Sequence, residues 1–253
     1  MFAHERHQTI TRLLGLRRRL TVRELRRSLK VSPATLRRDL TEMEQAGAIL
    51  RVHGGLVHPS SLREEPNFDR KSREAVAAKR AIAVKAGDLL KGPATVFVDS
   101  GTTCLEIGRL LLLRPEIRIA TNSVPLLHEA SRRGKSIIAL GGELRPISGA
   151  LIGDEALSRL QHLHADWAFL GASGLSANHG ISTTELGEAA IKQHFLRNSR
   201  QHVLAADASK WEHPVTIRFA DWADFDCWLT SGKLAPRETA RLEKKLRIIR
   251  CAA

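Results

Sequence analysis

Arg37 and Arg38 stand side by side just after the run Ser32-Pro33-Ala34-Thr35-Leu36, early in a stretch whose pattern reads as a helix. A guanidinium offers five N–H donors in a planar fork, which can grip O6 and N7 of guanine together or clamp a phosphate. Double-stranded DNA offers both targets. Further on, the β-branched run ATVFVD (94–99) leads into Ser100-Gly101-Thr102-Thr103. A strand feeding a small, hydroxyl-rich turn at a helix start presents free N–H groups and the positive end of the helix dipole. Such a turn suits an anion such as phosphate. One end of the chain therefore has the chemistry to hold DNA, and the other the chemistry to hold a small anion.

The elements that must position the arginines are legible around them. From His4 to Leu16, apolar residues fall at Ile10, Leu13 and Leu14, which predicts a first helix ended by Gly15 and the basic run after it. Thr21 is placed to cap a second helix, Val22 to Leu29, with Glu24 completing a capping box and Val22, Leu25 and Leu29 inward. Lys30-Val31 make the turn. Ser32 caps a third helix with Pro33 at its first position, where the missing N–H costs nothing. Leu36, Leu40 and Met43 line its inner face, so Ala34, Thr35, Arg37, Arg38 and Thr41 lie on or beside the outer one, and Gly47 closes it. Ile49 to Val57 reads as two short strands around His53-Gly54-Gly55, from which Arg51 and His53 could reach a neighbouring groove or phosphate. This is the layout of a winged helix-turn-helix, whose second helix meets base edges. Thr21, Ser32 and Pro33 complete the candidate DNA contacts.

Residues 58 to about 72 are polar, hold two prolines and lack periodicity, which predicts a linker. Beyond them, runs at 94–99, 117–122, 136–140, 167–172 and 202–207 read as strands, and 103–113, 124–133 and 186–199 as helices. That alternation predicts an α/β domain with a mostly parallel sheet. Ligands of such sheets sit beyond the carboxyl ends of the strands. There the chain places Thr121-Asn122-Ser123, Gly141-Gly142, Gly171 and Asp207, besides the turn at 100–103. The expected organisation is a DNA-binding domain at 1–58, a linker at 59–72 and an effector domain at 73–253.

The bulk numbers agree. Net charge is +13 over 253 residues, and residues 1–58 hold twelve Lys and Arg against five Asp and Glu. Positive charge so concentrated is the footprint of a phosphodiester partner. The three cysteines, Cys104, Cys227 and Cys251, form no CxxC pair, which argues against a disulfide framework or a zinc ribbon and fits a reducing cytoplasm. No apolar run has signal-peptide or membrane-spanning length. Among eleven histidines His162 and His164 form an HxH pair, a spacing that is usually incidental, so no metal and no cofactor is expected. GxSxG, HExxH and Walker motifs are missing, and no catalytic residue is assigned.

The segment SPATLRRDLTEMEQAGAILRVHGGLV resembles the DNA-binding domain of the DeoR family of bacterial transcription regulators, with RRDL followed by RVHGG as its specific signature. The resemblance continues through EEPNFDRK and then DSGTT, TNS, GGELRP, FLGASG and ADASK, almost to the C-terminus. It implies an effector domain similar in fold to ribose-5-phosphate isomerase and an effector that is a phosphorylated sugar or polyol. By that analogy Ser100 to Thr103 cradle the phosphate, while Asp99, Asn122, Glu188, Lys192 and Lys210 face hydroxyl groups or charge. Ser173 stands where many relatives carry Asp, which argues against residual isomerase chemistry.

The function expected is therefore a cytoplasmic DNA-binding repressor of a carbohydrate catabolic operon, relieved by a phosphorylated sugar or polyol. The alternative is an isomerase-like enzyme carrying a nucleic-acid-binding arm. One winged helix reads few base pairs, so a homo-oligomer (dimer or tetramer) is expected. Trp222, Phe225 and Trp228 are its candidate contacts.

Overall fold

In a computed structural model, residues 3–17, 19–29, 31–46, 48–52, 55–57 and 66–252 are described. The chain divides into two compact units, Met1–Glu65 and Pro66–Ala253.

In the first unit the helices run Ala3–Arg17, Val22–Leu29 and Pro33–Gln45. Ile10, Leu14, Leu25, Leu29, Leu36, Leu40 and Met43 meet in one core with Leu20, Ile49 and Leu56. Each fully buried aliphatic side chain of this kind contributes ~1.5–3 kcal/mol. Three expectations are corrected. Val22 is 44% exposed, because the face that turns inward carries Leu25 and Leu29 instead. The first helix, expected over 4–16, runs to Arg17, and Gly15 does not interrupt it. The hairpin of β2 (Leu50–Val52) and β3 (Gly55–Val57) has a third member, β1 (Arg19–Thr21), which pairs antiparallel with β3 by setting Leu20 against Leu56. A three-residue strand made mostly of polar residues has no periodicity to announce it.

The second unit begins with a helix, Phe68–Arg73, where a linker was expected up to residue 72. Asn67 caps it by accepting a hydrogen bond from Arg70 N at 2.9 Å, and Phe68 packs into the core. Helix Val76–Leu89 follows. The main sheet has seven strands in the order β15-β14-β12-β9-β4-β5-β6, every neighbouring pair parallel. These are β4 (Ala94–Val98), β5 (Ile117–Thr121), β6 (Ile138–Ala139), β9 (Ala165–Leu170), β12 (Ser199–Ala205), β14 (Cys227–Thr230) and β15 (Arg247–Arg250). Both faces are covered, so alternate residues enter two cores. Phe97, Leu170 and Leu204 join Phe195 and Trp228 on one side. Val96, Val98, Phe169 and Val203 join Ile82, Ala86 and Ile107 on the other. Trp222, Phe225 and Trp228 are buried, with the rings of Trp222 and Trp228 centred 5.2 Å apart. They build the core and offer no surface to a second copy.

A hairpin of β7 (Glu143–Arg145) and β8 (Ala150–Ile152), and a small sheet of β10 (Gly174–Ser176), β11 (Gly180–Thr183) and β13 (Ile217–Ala220), add to this frame. From β4 the chain builds outward to β5 and β6, then returns to place β9 on the other side of β4. The strand order therefore reverses between β4 and β9, and the carboxyl ends there diverge into the crevice that open parallel sheets use for ligands.

Candidate DNA-reading helix and candidate anion site

The third helix of the first unit is built to expose its arginines. Ser32 caps it, its hydroxyl accepting from Thr35 N at 3.1 Å, with Pro33 in the first turn. At the other end Ala48 N donates to Met43 O at 2.9 Å, which satisfies a terminal carbonyl. Ala34, Arg37, Arg38 and Thr41 are exposed and Thr35 half-exposed. Arg38 donates from Nε to Glu42 Oε1 at 3.1 Å, with 84% of its side chain still in solvent. Thr41 Oγ1 donates to Arg37 O. Thr21 spends its side chain locally, as the capping box predicts: Thr21 N and Oγ1 donate to Glu24 Oε2, and Thr21 Oγ1 accepts from Glu24 N. His53, Lys30 and Gly47 lie outside the described residues, as does the side chain of Arg51.

Asp39, in the middle of the RRDL run, is the residue that sequence reasoning passed over. It is buried and accepts a fork of two bonds from Arg6 of the first helix, Nε to Oδ2 at 2.7 Å and Nη2 to Oδ1 at 2.8 Å, with His7 Nε2 3.4 Å from Oδ1. The Arg6 hydrogen bonds hold its carboxyl below the ordinary 3.8, overcoming the opposing effect of burial. The fork orients the first helix against the reading helix. A signal was available, since Asp39 shares the inward arc with Leu36, Leu40 and Met43, where a charge needs a partner. His7 and Glu42 bring ligand-type atoms to within 4.8 Å of this carboxylate, but the Arg6 guanidinium already occupies both its oxygens and repels a cation.

In the second unit Asp99, the turn at 100–103, Thr121–Ser123 and Gly171 gather at the carboxyl ends of β4, β5 and β9. Helix Thr102–Leu111 starts from Gly101, whose φ of +130° suits glycine and whose missing Cβ faces open space. Among the described residues no side chain caps this helix start, so its first N–H groups, which have no intrahelical acceptor, take no side-chain one either. Ser100 N donates to Asn122 Oδ1 at 2.9 Å, and Asn122 Nδ2 donates to Leu151 O at 3.3 Å. Fully buried, Asn122 shapes the turn and ties it to the β7–β8 hairpin. Thr121 and Ser123 also turn to the backbone: Thr121 Oγ1 donates to Val98 O, and Ser123 Oγ accepts from Leu126 N to cap helix Val124–Arg132. Gly141 and Gly142 have φ of +78° and +97°, and a Cβ on Gly142 would lie 2.3 Å from Ile152 O. Gly142 thus lets the hairpin approach, whereas a Cβ on Gly141 would meet nothing within 4 Å.

Asp99 and Lys192 form a buried pair next to this turn. Lys192 Nζ donates to Asp99 Oδ2 and, at 3.2 Å, to Gly171 O, while Gly171 N donates to Asp99 Oδ2 at 2.9 Å. Burial pushes the Asp99 carboxyl up. Burial also opposes the charge on Lys192, but the Asp99 and Glu188 carboxylates outweigh it and hold its pKa above the usual value. Glu188, in the first turn of helix Leu186–Arg197, accepts from Arg145 Nη1 at 3.0 Å and from Thr183 Oγ1 at 3.2 Å. Arg145 was not foreseen, although it lies in the quoted GGELRP. Lys210 is half-exposed on a short 3₁₀ turn capped by Asp207 after β12.

A DeoR-like helix-turn-helix domain matches residues 6–62, and a DeoR C-terminal sensor domain matches residues 74–232. The chain belongs to the DeoR family. This DeoR-family chain is 34% identical to the HTH-type transcriptional regulator GlpR of Haloferax volcanii, over 92% of each chain. It is 33% identical to the glycerol-3-phosphate regulon repressor of Escherichia coli K12, over 90% of each. Among solved structures, ribose 5-phosphate isomerase A of Methanocaldococcus jannaschii is matched over 53% of each chain, at 17% identity and a TM-score of 0.40. The DeoR-family chain is thus a helix-turn-helix transcription regulator with a C-terminal sensor domain, and its curated relatives are named as regulators rather than enzymes. No described helix is long and apolar enough to cross a membrane.

Proposed function

We propose that this regulator represses a carbohydrate catabolic operon and that a phosphorylated sugar or polyol relieves the repression by binding at Ser100–Thr103. One observation carries the reading: the uncapped start of helix Thr102–Leu111 lies at the strand-order reversal, with open space over Gly101. Three acceptor oxygens of a phosphate match the N–H groups and the Thr102 and Thr103 hydroxyls, and charge-assisted bonds of this kind are about twice as strong as neutral ones. The name of the Escherichia coli relative makes glycerol 3-phosphate the first compound to try. For relief, the ligand must favour the DNA-incompetent arrangement, and a coupling of ~1–3 kcal/mol gives a 5–150-fold change in DNA affinity. The working form is a homo-oligomer reading half-sites spaced by whole helical turns.

Calorimetry with glycerol 3-phosphate, several hexose phosphates and their unphosphorylated parents tests the reading. The expected result is binding of a phosphorylated compound only, lost in Gly101→Leu and weakened in Thr103→Val, with DNA binding intact in both. Equal affinity in parent and variants would move the site elsewhere, and binding of no phosphate would remove the effector.

A further inference from the structure

We infer that Lys79 is a positioning residue that couples the anion site to the DNA-reading unit, by holding the short helix Phe68–Arg73 through which the chain enters the second unit. The inference rests on the effector reading above. Lys79 is only 6% exposed and shares the inward face of helix Val76–Leu89 with Ile82, Ala83 and Ala86. A lysine on an apolar face carries a desolvation cost that only good partners offset. Its partners are backbone carbonyls: Nζ donates to Lys71 O, and to Glu74 O at 2.6 Å. These lie at the C-terminal end of helix Phe68–Arg73, where the helix dipole favours a cation; Lys71 O takes a second bond there, from Glu74 N at 3.3 Å.

The same short helix is tied to the frame of the anion site at two other places. Phe68 N donates to Ile147 O at 2.8 Å, in the turn of the β7–β8 hairpin, and that hairpin bonds Asn122, which holds Ser100 N. Its side packs against helix Thr102–Leu111, the helix that starts at the anion turn. Lys79 also feels the charges of Asp207 and Lys210, beyond β12, and of Glu74 and Glu106. Burial, the largest influence, lowers its pKa and Lys210 acts in the same direction, while Asp207, Glu74 and Glu106 favour the ammonium. An anion bound at Thr102 alters both the field around Lys79 and the seating of the hairpin. Each change bears on helix Phe68–Arg73, and the chain before Pro66 belongs to the DNA-reading unit. A ligand shifts an equilibrium only through contacts that differ between two states, and the grip of Lys79 on this helix is such a contact.

The test uses the full chain, a duplex that the parent selects from a randomised pool, and glycerol 3-phosphate, with inorganic phosphate as the bare anion. DNA affinity with and without ligand gives the coupling ratio, and calorimetry gives ligand affinity separately. Lys79→Met is expected to keep both individual affinities within about threefold while the coupling ratio falls from at least fivefold in the parent to below twofold. Amide exchange in the ligand-free variant should rise over residues 68–74 and stay unchanged over 102–111. Should Lys79→Met not fold, Asn67→Ala loosens the same helix from an exposed cap and is expected to lower the coupling ratio in the same direction. An unchanged ratio in whichever variant folds overturns the role. So does loss of ligand binding itself in Lys79→Met, which would put Lys79 in the binding site. Where glycerol 3-phosphate is silent, the hexose phosphates of the panel take its place; a parent whose DNA affinity ignores every one of them sinks the effector reading and the coupling with it, whereas a responsive parent with an equally responsive variant sinks the coupling alone.

Discussion

Arg38 and Glu42 show how a single contact decides between two uses of one side chain. Their ion pair is exposed and spaced i,i+4, a kind of pair that contributes only ~0.3–0.5 kcal/mol, so a phosphate or guanine can take Arg38 away at little cost. Replacing an arginine that reads guanine costs ~1–3 kcal/mol and relaxes preference at one base pair, whereas one that clamps a phosphate weakens all sequences alike. Arg37→Ala and Arg38→Ala are expected to lower affinity for the selected duplex by about these amounts, and Glu42→Gln to leave it equal or raise it. Anisotropy titrations at fixed salt decide, and a double Arg→Ala protein that binds like the parent would refute the assignment. Asp39 gives a prediction about pH. Its folded-state carboxyl is depressed below the ordinary 3.8, so its contribution to stability is complete above that value and disappears as pH falls through the lower folded one. Asp39→Asn should therefore melt earlier than the parent at pH 7, and the gap should close in strong acid. A gap that stays constant with pH would mean the Arg6 fork adds nothing.

Among the elements, the β7–β8 hairpin departs most from the sequence reading. GGELRP was read as a glycine turn after a strand. Gly142 instead leaves free the space where a Cβ would meet Ile152 O, so that the hairpin can close beside Asn122 at the end of β5. Gly142→Ala combines a strained φ of +97° with a 2.3 Å contact to a backbone oxygen. We expect it to destabilise the second unit by ~1–3 kcal/mol and to weaken anion binding through the hairpin's bond to Asn122. Differential scanning fluorimetry with and without phosphate checks both effects, and an unaltered melting temperature would show that the hairpin yields. The reading helix starts as its Ser32 cap foretold. Ser32→Ala should cost ~1 kcal/mol of first-unit stability, read from its urea midpoint, and a change under a few tenths would mean that the Thr35 bond is idle.

For the whole molecule, charge and assembly matter most. Positive charge concentrated before residue 58 predicts that the logarithm of DNA affinity falls linearly with the logarithm of salt, with a slope of about −0.9 per phosphate neutralised. Specific and random duplexes should share most of that slope if the arginines act chiefly on phosphates, and a salt-independent affinity would contradict the electrostatic footprint. Assembly is expected to rest on surfaces other than Trp222, Phe225 and Trp228, which are consumed by the core. Light scattering at micromolar concentration should report a dimer or larger, and a monomer with and without DNA would remove the half-site argument.

Local signals were enough for the first unit. Capping residues, a proline at a helix start and apolar spacing of three and four act within one turn of backbone, so they are written in consecutive residues and specify the helix-turn-helix directly. The alternation of β-branched runs with helical stretches likewise disclosed a parallel sheet and the turn at Ser100–Thr103. Partners far apart in sequence were decided only by the tertiary structure. Asp39 needed Arg6, thirty-three residues away, and Asp99 needed Lys192, ninety-three away. The tryptophans looked like surface because burial depends on what packs above a strand. Helix Phe68–Arg73 looked like linker because six residues are too few to show a period. Its fate depended on Phe68, Ile147 and Lys79 meeting in space, which a linear pattern does not encode.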